Sequence, residues 1–256
     1  RIKAVLDCIK ENYNLVAPEI TVECNPSSVS DEFFKVIAEA GVNRISMGMQ
    51  SAVDSERKIL GRLSKKEETE KAIAFAKSHG IDNISLDIML GVPNQTIESL
   101  NESIDFLISS DIKHISAYML KIEEGTPFYY DTPKNLADEE QMADYYLAAC
   151  KRLADYGYSQ YEISNFCLQG YHSRHNTIYW KLEDYLGIGP GAHSCMAGQR
   201  FYYPCDLKTF IAEGKTVADG TVDADDYIML SLRLASGLNF ETLKEKWSLV
   251  PNDYVK

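Results

Sequence analysis

Four short apolar runs, at residues 20–24, 44–50, 84–90 and 114–120, alternate with longer stretches of helical spacing, and this alternation constrains the fold more than any other feature. Strands separated by helices lie parallel, because a parallel pair needs a crossover connection long enough to hold a helix. The spacing predicts helices over about 31–40, 65–79 and 96–109. Ser30, Ser64 and either Asn94 or Thr96 stand where N-caps are expected, and Gly41 and Gly80 stand just past the ends of the first two helices.

Side chains of a strand point alternately to opposite faces, so each strand of a barrel has an inward and an outward set. Ile20, Val22 and Cys24 oppose Thr21, Glu23 and Asn25; Ile45, Met47 and Met49 oppose Ser46, Gly48 and Gln50. Leu86, Ile88 and Leu90 oppose Ser85, Asp87 and Met89, and Ile115, Ala117 and Met119 oppose Ser116 and Tyr118. One set in each strand suits packing on helices, while the other is small or polar. A closed eight-stranded barrel usually fills its interior with branched apolar side chains. An interior of Glu, Gln, Asp, Ser and Gly implies a cavity for a polar ligand. Glu23, Gln50 and Asp87 also fall toward the C-terminal ends of their strands, where α/β barrels place their active sites.

A net charge of −12, spread over the chain, argues against nucleic acid as a partner, since phosphate backbones are bound mainly by Lys and Arg. No run approaches the roughly 18 apolar residues of a membrane span, and no secretory signal is expected. The six cysteines, Cys8, Cys24, Cys150, Cys167, Cys195 and Cys205, lie far apart with no CxxC pair and read as reduced thiols of a cytoplasmic protein. Arg1 falls within an apparent helix built on Ile2, Val5, Leu6 and Ile9, so the chain is expected to begin partway through an architecture. From about residue 138 the pattern changes. A long amphipathic helix over 138–156 precedes a glycine- and aromatic-rich stretch, 157–203, expected to form short strands and ordered loops. Two more helices are expected near 224–235 and 239–247.

Five motifs occur in order: Glu23 in TVECNP, Gln50 in RISMGMQS, Arg62 in LGRLSKKEE, Asp87 in SLDIMLGVP, and YMLKIEEGTPFY from Tyr118. Each alone is weak. Together, over about residues 1–247, they resemble the radical S-adenosylmethionine (SAM) enzymes related to oxygen-independent coproporphyrinogen III oxidase. The fold this implies is α/β: a partial (β/α) barrel of parallel strands lacking its N-terminal strands (1–137), then a C-terminal α+β extension (138–220) and the start of a helical module (221–256). The resemblance assigns Glu23 to the ribose hydroxyls of S-adenosylmethionine, and Gln50, Arg62 and Asp87 to the cofactor's amino-acid and ribose portions. An Arg suits a carboxylate because its planar fork pairs with both oxygens. Taken singly, an acidic residue at a strand end is more often a cap or an ion-pair partner; the shared face and order of the four favour a ligand.

The family's CxxxCxxC loop and its GGTP turn are absent from this sequence. Those cysteines hold the 4Fe–4S cluster that cleaves the cofactor, so this polypeptide is not expected to perform radical chemistry, and it contains no expected metal ligands for the cluster. The stretch from Tyr161 to Ser194 resembles the HemW heme chaperones, whose HNxxYW signature is matched by His175, Asn176, Tyr179 and Trp180. The resemblance implies heme binding through these residues, with His175 as a candidate iron ligand or else a buried, hydrogen-bonded structural histidine. His172 and His193 are competing candidates, while His79 and His114 read as structural. The implied function is a heme chaperone that binds S-adenosylmethionine and a 4Fe–4S cluster at full length and passes heme to acceptor proteins. Coproporphyrinogen III oxidation is the alternative, and an unrelated barrel enzyme for a polar metabolite is a third. The resemblance also leaves room for a homodimer and for peripheral contact with a membrane.

Overall fold

The four apolar runs form neighbouring strands in chain order. In the computed structural model, which describes residues 1–62 and 64–250, β1 (Thr21–Cys24), β2 (Arg44–Gln50), β3 (Asn83–Leu90) and β4 (His114–Met119) pair parallel throughout. The sheet continues to β5 (Ser159–Glu162) and β6 (Asn165–Cys167) in the order β1-β2-β3-β4-β6-β5, with β6 antiparallel to β4. The chain divides into two compact units, Arg1–Gln160 with Ser164–His172, and Tyr161–Ile163 with Ser173 onward.

In the first unit α1 (Ile2–Asn12) precedes the sheet, and α2 (Asp31–Glu39), α3 (Asp54–Ile59), α4 (Lys66–Ser78) and α5 (Ile97–Ser109) fill the crossovers, followed by α6 (Pro127–Tyr130) and α7 (Glu139–Asp155). The starts follow from local chemistry. Ser30 Oγ accepts from the Phe33 N–H at 3.2 Å, Thr96 Oγ1 from Ser99 at 3.2 Å and Asp138 Oδ1 from Gln141 at 2.8 Å. Each satisfies an N–H that has no partner inside its helix. At α4 the cap is Lys65, not Ser64: the Glu68 carboxylate reaches back to the Lys65 N–H at 2.7 Å, which sets the start one residue later than expected. Gly41 and Gly80 follow α2 and α4 with φ of 93° and 78°.

The parity of the strands is realised in packing, except that Met119, expected on the packed side of the fourth strand, is exposed at its end. Ile45, Met47, Leu86, Ile88, Leu90 and Ile115 are fully buried, against Phe34, Ala76, Ile104 and Leu107 from the crossover helices and Leu153 from α7. Each such side chain contributes about 1.5–3 kcal/mol on leaving water, so the helical side of the sheet holds this unit together. The opposite side is left to polar groups.

The second unit contains α8 (Arg174–Trp180), the antiparallel sheet of β7 (His193–Met196), β8 (Gln199–Tyr202) and β9 (Val217–Thr221), then α9 (Leu207–Glu213), α10 (Ala224–Ser231) and α11 (Phe240–Trp247). Short strands over 157–203 match the expectation there. The helix α8 does not, because Ser173 caps it (Oγ accepting from Asn176 N–H at 3.2 Å) in a stretch whose aromatic residues obscure helical periodicity. No described helix is long and apolar enough to cross a membrane.

Candidate functional site

The parallel register stacks polar positions across the sheet. Glu23 lies beside Ser46, Ser46 beside Ser85, Gly48 beside Asp87 and Asp87 beside Ser116. Above this face lies a cavity of about 340 Å³ lined by Glu23, Cys24, Asn25, Ser46, Gly48, Gln50, Arg62 and Asp87. The four residues picked out by sequence, Glu23, Gln50, Arg62 and Asp87, thus line one space. Glu23 and Arg62 are exposed, Asp87 is half-buried and Gln50 is 8% exposed.

Gln50 reaches the cavity by an irregularity that strict alternation does not foresee. The β2–β3 register shifts between Gly48 and Gln50, and Gln50 adopts φ of 72°, a left-handed conformation uncommon outside glycine. Its carboxamide folds back over Gly48: a Cβ at that position would come within 2.6 Å of Gln50 Nε2. Glycine at 48 therefore leaves the space that the amide occupies. Cys24, expected on the helical side, also lines the cavity, and its thiol is pushed up to about 11 by burial and by the Glu23 charge.

A network that sequence reasoning missed fixes the loops. Glu56, 3% exposed, accepts hydrogen bonds from Ser51 Oγ at 2.7 Å, Ser99 Oγ at 2.5 Å and Gln95 Nε2 at 3.3 Å. Gln95 Nε2 also donates to the Met89 carbonyl at 3.0 Å, and its Oε1 accepts from the Gly91 N–H at 2.7 Å, just beyond Asp87. The Arg57 guanidinium pairs with Asp54, donates to the Ser51 carbonyl at 2.5 Å and to the Ser64 carbonyl at 3.0 Å. These bonds tie down the residue after Gln50 and the loop carrying Arg62. In sequence, DSERKI reads as an exposed charged helix, and nothing marks its Glu and Arg as buried.

Two carboxylates and one guanidinium give the cavity a mixed charge. Burial, partly offset by a hydrogen bond from Ser116 and reinforced by Glu23, raises the Asp87 carboxyl to about 6. Asp87 therefore carries a charge near neutrality only at an energetic cost, which a cationic ligand relieves. An adenosyl compound fits this donor set: carboxylates for hydroxyls and an ammonium or sulfonium, and a guanidinium for a carboxylate.

The chain's own residues do not fit a 4Fe–4S cluster. All six cysteines are free, and among the described residues no three His, Cys, Asp or Glu side chains are placed to share a metal ion.

In the second unit, His175, Asn176, Tyr179 and Trp180 all lie on α8. His175 is exposed, not buried, and its Nε2 lies 2.8 Å from Tyr179 Oη, one helical turn on. The Tyr179 ring meets His175 edge-on at 4.9 Å and Tyr185 at 4.6 Å. Trp180 stacks under the Arg233 guanidinium at 4.2 Å, and Arg233 also reaches the buried Glu162 carboxylate at 3.3 Å. His193 stacks on Tyr202 at 5.1 Å within the small sheet. In the first unit, His172 is exposed and His79 Nε2 lies 2.9 Å from Asp31. His114 is fully buried, bonded to Ser85 Oγ at 2.7 Å, and held neutral with its pKa lowered to about 3 by burial and by Arg44 and His172.

Residues 2–107 match the model of the radical SAM superfamily. The chain is 32% identical over 258 aligned positions to the heme chaperone HemW of Lactococcus lactis, covering 96% of this chain and 68% of that protein. It is 40% identical over 196 residues to the heme chaperone HemW of Bacillus subtilis, covering 75% of this chain and 52% of that protein, so it spans about half the length of this relative. The solved structure of coproporphyrinogen III oxidase (HemN) from Escherichia coli, a radical SAM enzyme, superposes with a TM-score of 0.80 at 19% identity over 99% of this chain and 64% of that one. At that identity the likeness concerns the fold, and the fold is the α/β architecture with a parallel sheet expected from sequence.

Proposed function

Because this chain belongs to the HemW heme chaperone family of the radical SAM superfamily, we propose that the protein binds S-adenosylmethionine on the sheet's polar face and carries heme to acceptor proteins. The observation that carries the first half is the convergence of Glu23, Gln50, Arg62 and Asp87 on one cavity. Glu23 accepts from the ribose hydroxyls, Arg62 pairs with the carboxylate, and Asp87 and Gln50 orient the amino-acid and ribose portions. When bound to a reducing cluster, this cofactor supplies an adenosyl radical in the superfamily. The cysteines of this chain supply no such cluster, and the role of its residues is to hold and orient the cofactor.

The second half rests on α8. An exposed imidazole with the Tyr179 ring edge-on beside it, and Tyr185 packed edge-on against Tyr179 in turn, offers a nitrogen ligand beside an aromatic face. Tyr179 Oη must give up Nε2 before iron takes it, or else the iron takes Nδ1. A heme titration followed in the Soret region tests this, with transfer to an apo-acceptor as the functional readout. A saturable Soret shift, displaced in position by His175→Ala, is the expected result. A spectrum that remains that of free heme overturns the chaperone reading.

A further inference from the structure

A second cavity, of about 260 Å³, lies in the second unit, where Lys181 and Lys246 line it together with Ser231, Ser236, Asn239 and Thr242. The chain carries a net charge of −12, and Lys3, Lys77, Lys113 and Lys151 each hold a carboxylate at 2.5–3.3 Å. Among the described residues no carboxylate pairs with the Lys181 or Lys246 side chain, and Lys246 Nζ lies 5.8 Å from the centre of the Trp247 ring. Two lysines line this cavity and no carboxylate side chain does, so an anion placed there gains two positive partners. Asn239 is the N-cap of α11 and Thr242 lies in its first turn, so the positive end of that helix adds to the same field. The serine and threonine hydroxyls supply donors suited to an oxyanion.

We propose that this cavity is an oxyanion site, taking the carboxylate or phosphate of a small ligand. Lys181 directly follows Trp180 at the end of α8, so the site adjoins the helix assigned above to heme. A heme propionate and a free phosphate present the same chemistry to it. Only the propionate source depends on the heme reading.

Three probes decide the matter: heme, heme dimethyl ester and inorganic phosphate, each titrated into the protein and into its Lys181→Gln/Lys246→Gln variant, with circular dichroism confirming that both are folded. The expected result is heme binding about tenfold weaker in the variant, with an unchanged Soret maximum, while the ester binds both proteins equally. Loss confined to phosphate supports the site and assigns it to a free oxyanion. If wild type binds no heme, the heme reading falls and the phosphate comparison alone decides the site. Equal affinity of both proteins for heme and for phosphate, or no measurable binding of either, overturns the inference.

Discussion

Asp87 offers a perturbation whose size follows from the structure. Burial raises its carboxyl from an ordinary 3.8 to about 6, so the folded protein holds this proton more tightly than the unfolded chain. A raised carboxyl contributes its full share of stability below the unfolded value. That share is lost as pH climbs through the folded one, and the loss is complete above about 6. Two units at about 1.4 kcal/mol each give a cost of about 3 kcal/mol, reduced to about 2 kcal/mol by water at the cavity mouth. Asp87→Asn keeps the shape and an acceptor for Ser116 but has no charge to strand. Urea unfolding of both proteins at about pH 4 and about pH 7.5 isolates the effect, since titrating groups not coupled to Asp87 cancel in the difference. The variant is expected to gain about 2 kcal/mol over wild type between those two pH values. A stability difference independent of pH means that Asp87 is solvated as an ordinary surface carboxylate, and the reasoning about the cavity's electrostatics is wrong.

Gly48→Ala places a Cβ against the flexible end of Gln50; the expected outcome is a loss of under about 1 kcal/mol in urea unfolding beside a several-fold loss of affinity for an adenosyl ligand by calorimetry. Glu56→Ala strands donors on Ser51, Gln95 and Ser99, and is expected to cost about 2–4 kcal/mol in urea unfolding.

The parallel part of the sheet was legible in sequence because burial on one side and a cavity on the other leave a period-two signature in β1 to β4. Ile45, Met47, Leu86 and Ile88 announce the packed side, and Glu23, Ser46 and Asp87 the open one. Features set by tertiary contacts left no such trace. The register shift that brings Gln50 over Gly48 depends on β3, not on local propensity. The burial of Glu56 depends on Ser99 and Gln95, far away in sequence, and that of Arg57 on the backbone carbonyls of Ser51 and Ser64 in the flanking loops. The α8 helix was missed for a different reason: its start is a single capping serine, and its RHNTIYW sequence has little helical preference of its own. The candidate residues were found through motifs, and only coordinates could place four of them around one space.

Calorimetric titration of S-adenosylhomocysteine into wild type and Glu23→Gln bears on whether the polar face of the sheet grips an adenosyl group. Glu23 lies at the exposed rim of the cavity, so its substitution leaves folding intact and isolates recognition of the ribose. One-to-one binding weakened at least about tenfold in the variant is expected, since a pair of hydrogen bonds to a carboxylate is lost. No binding by wild type, or equal binding by both proteins, contradicts it.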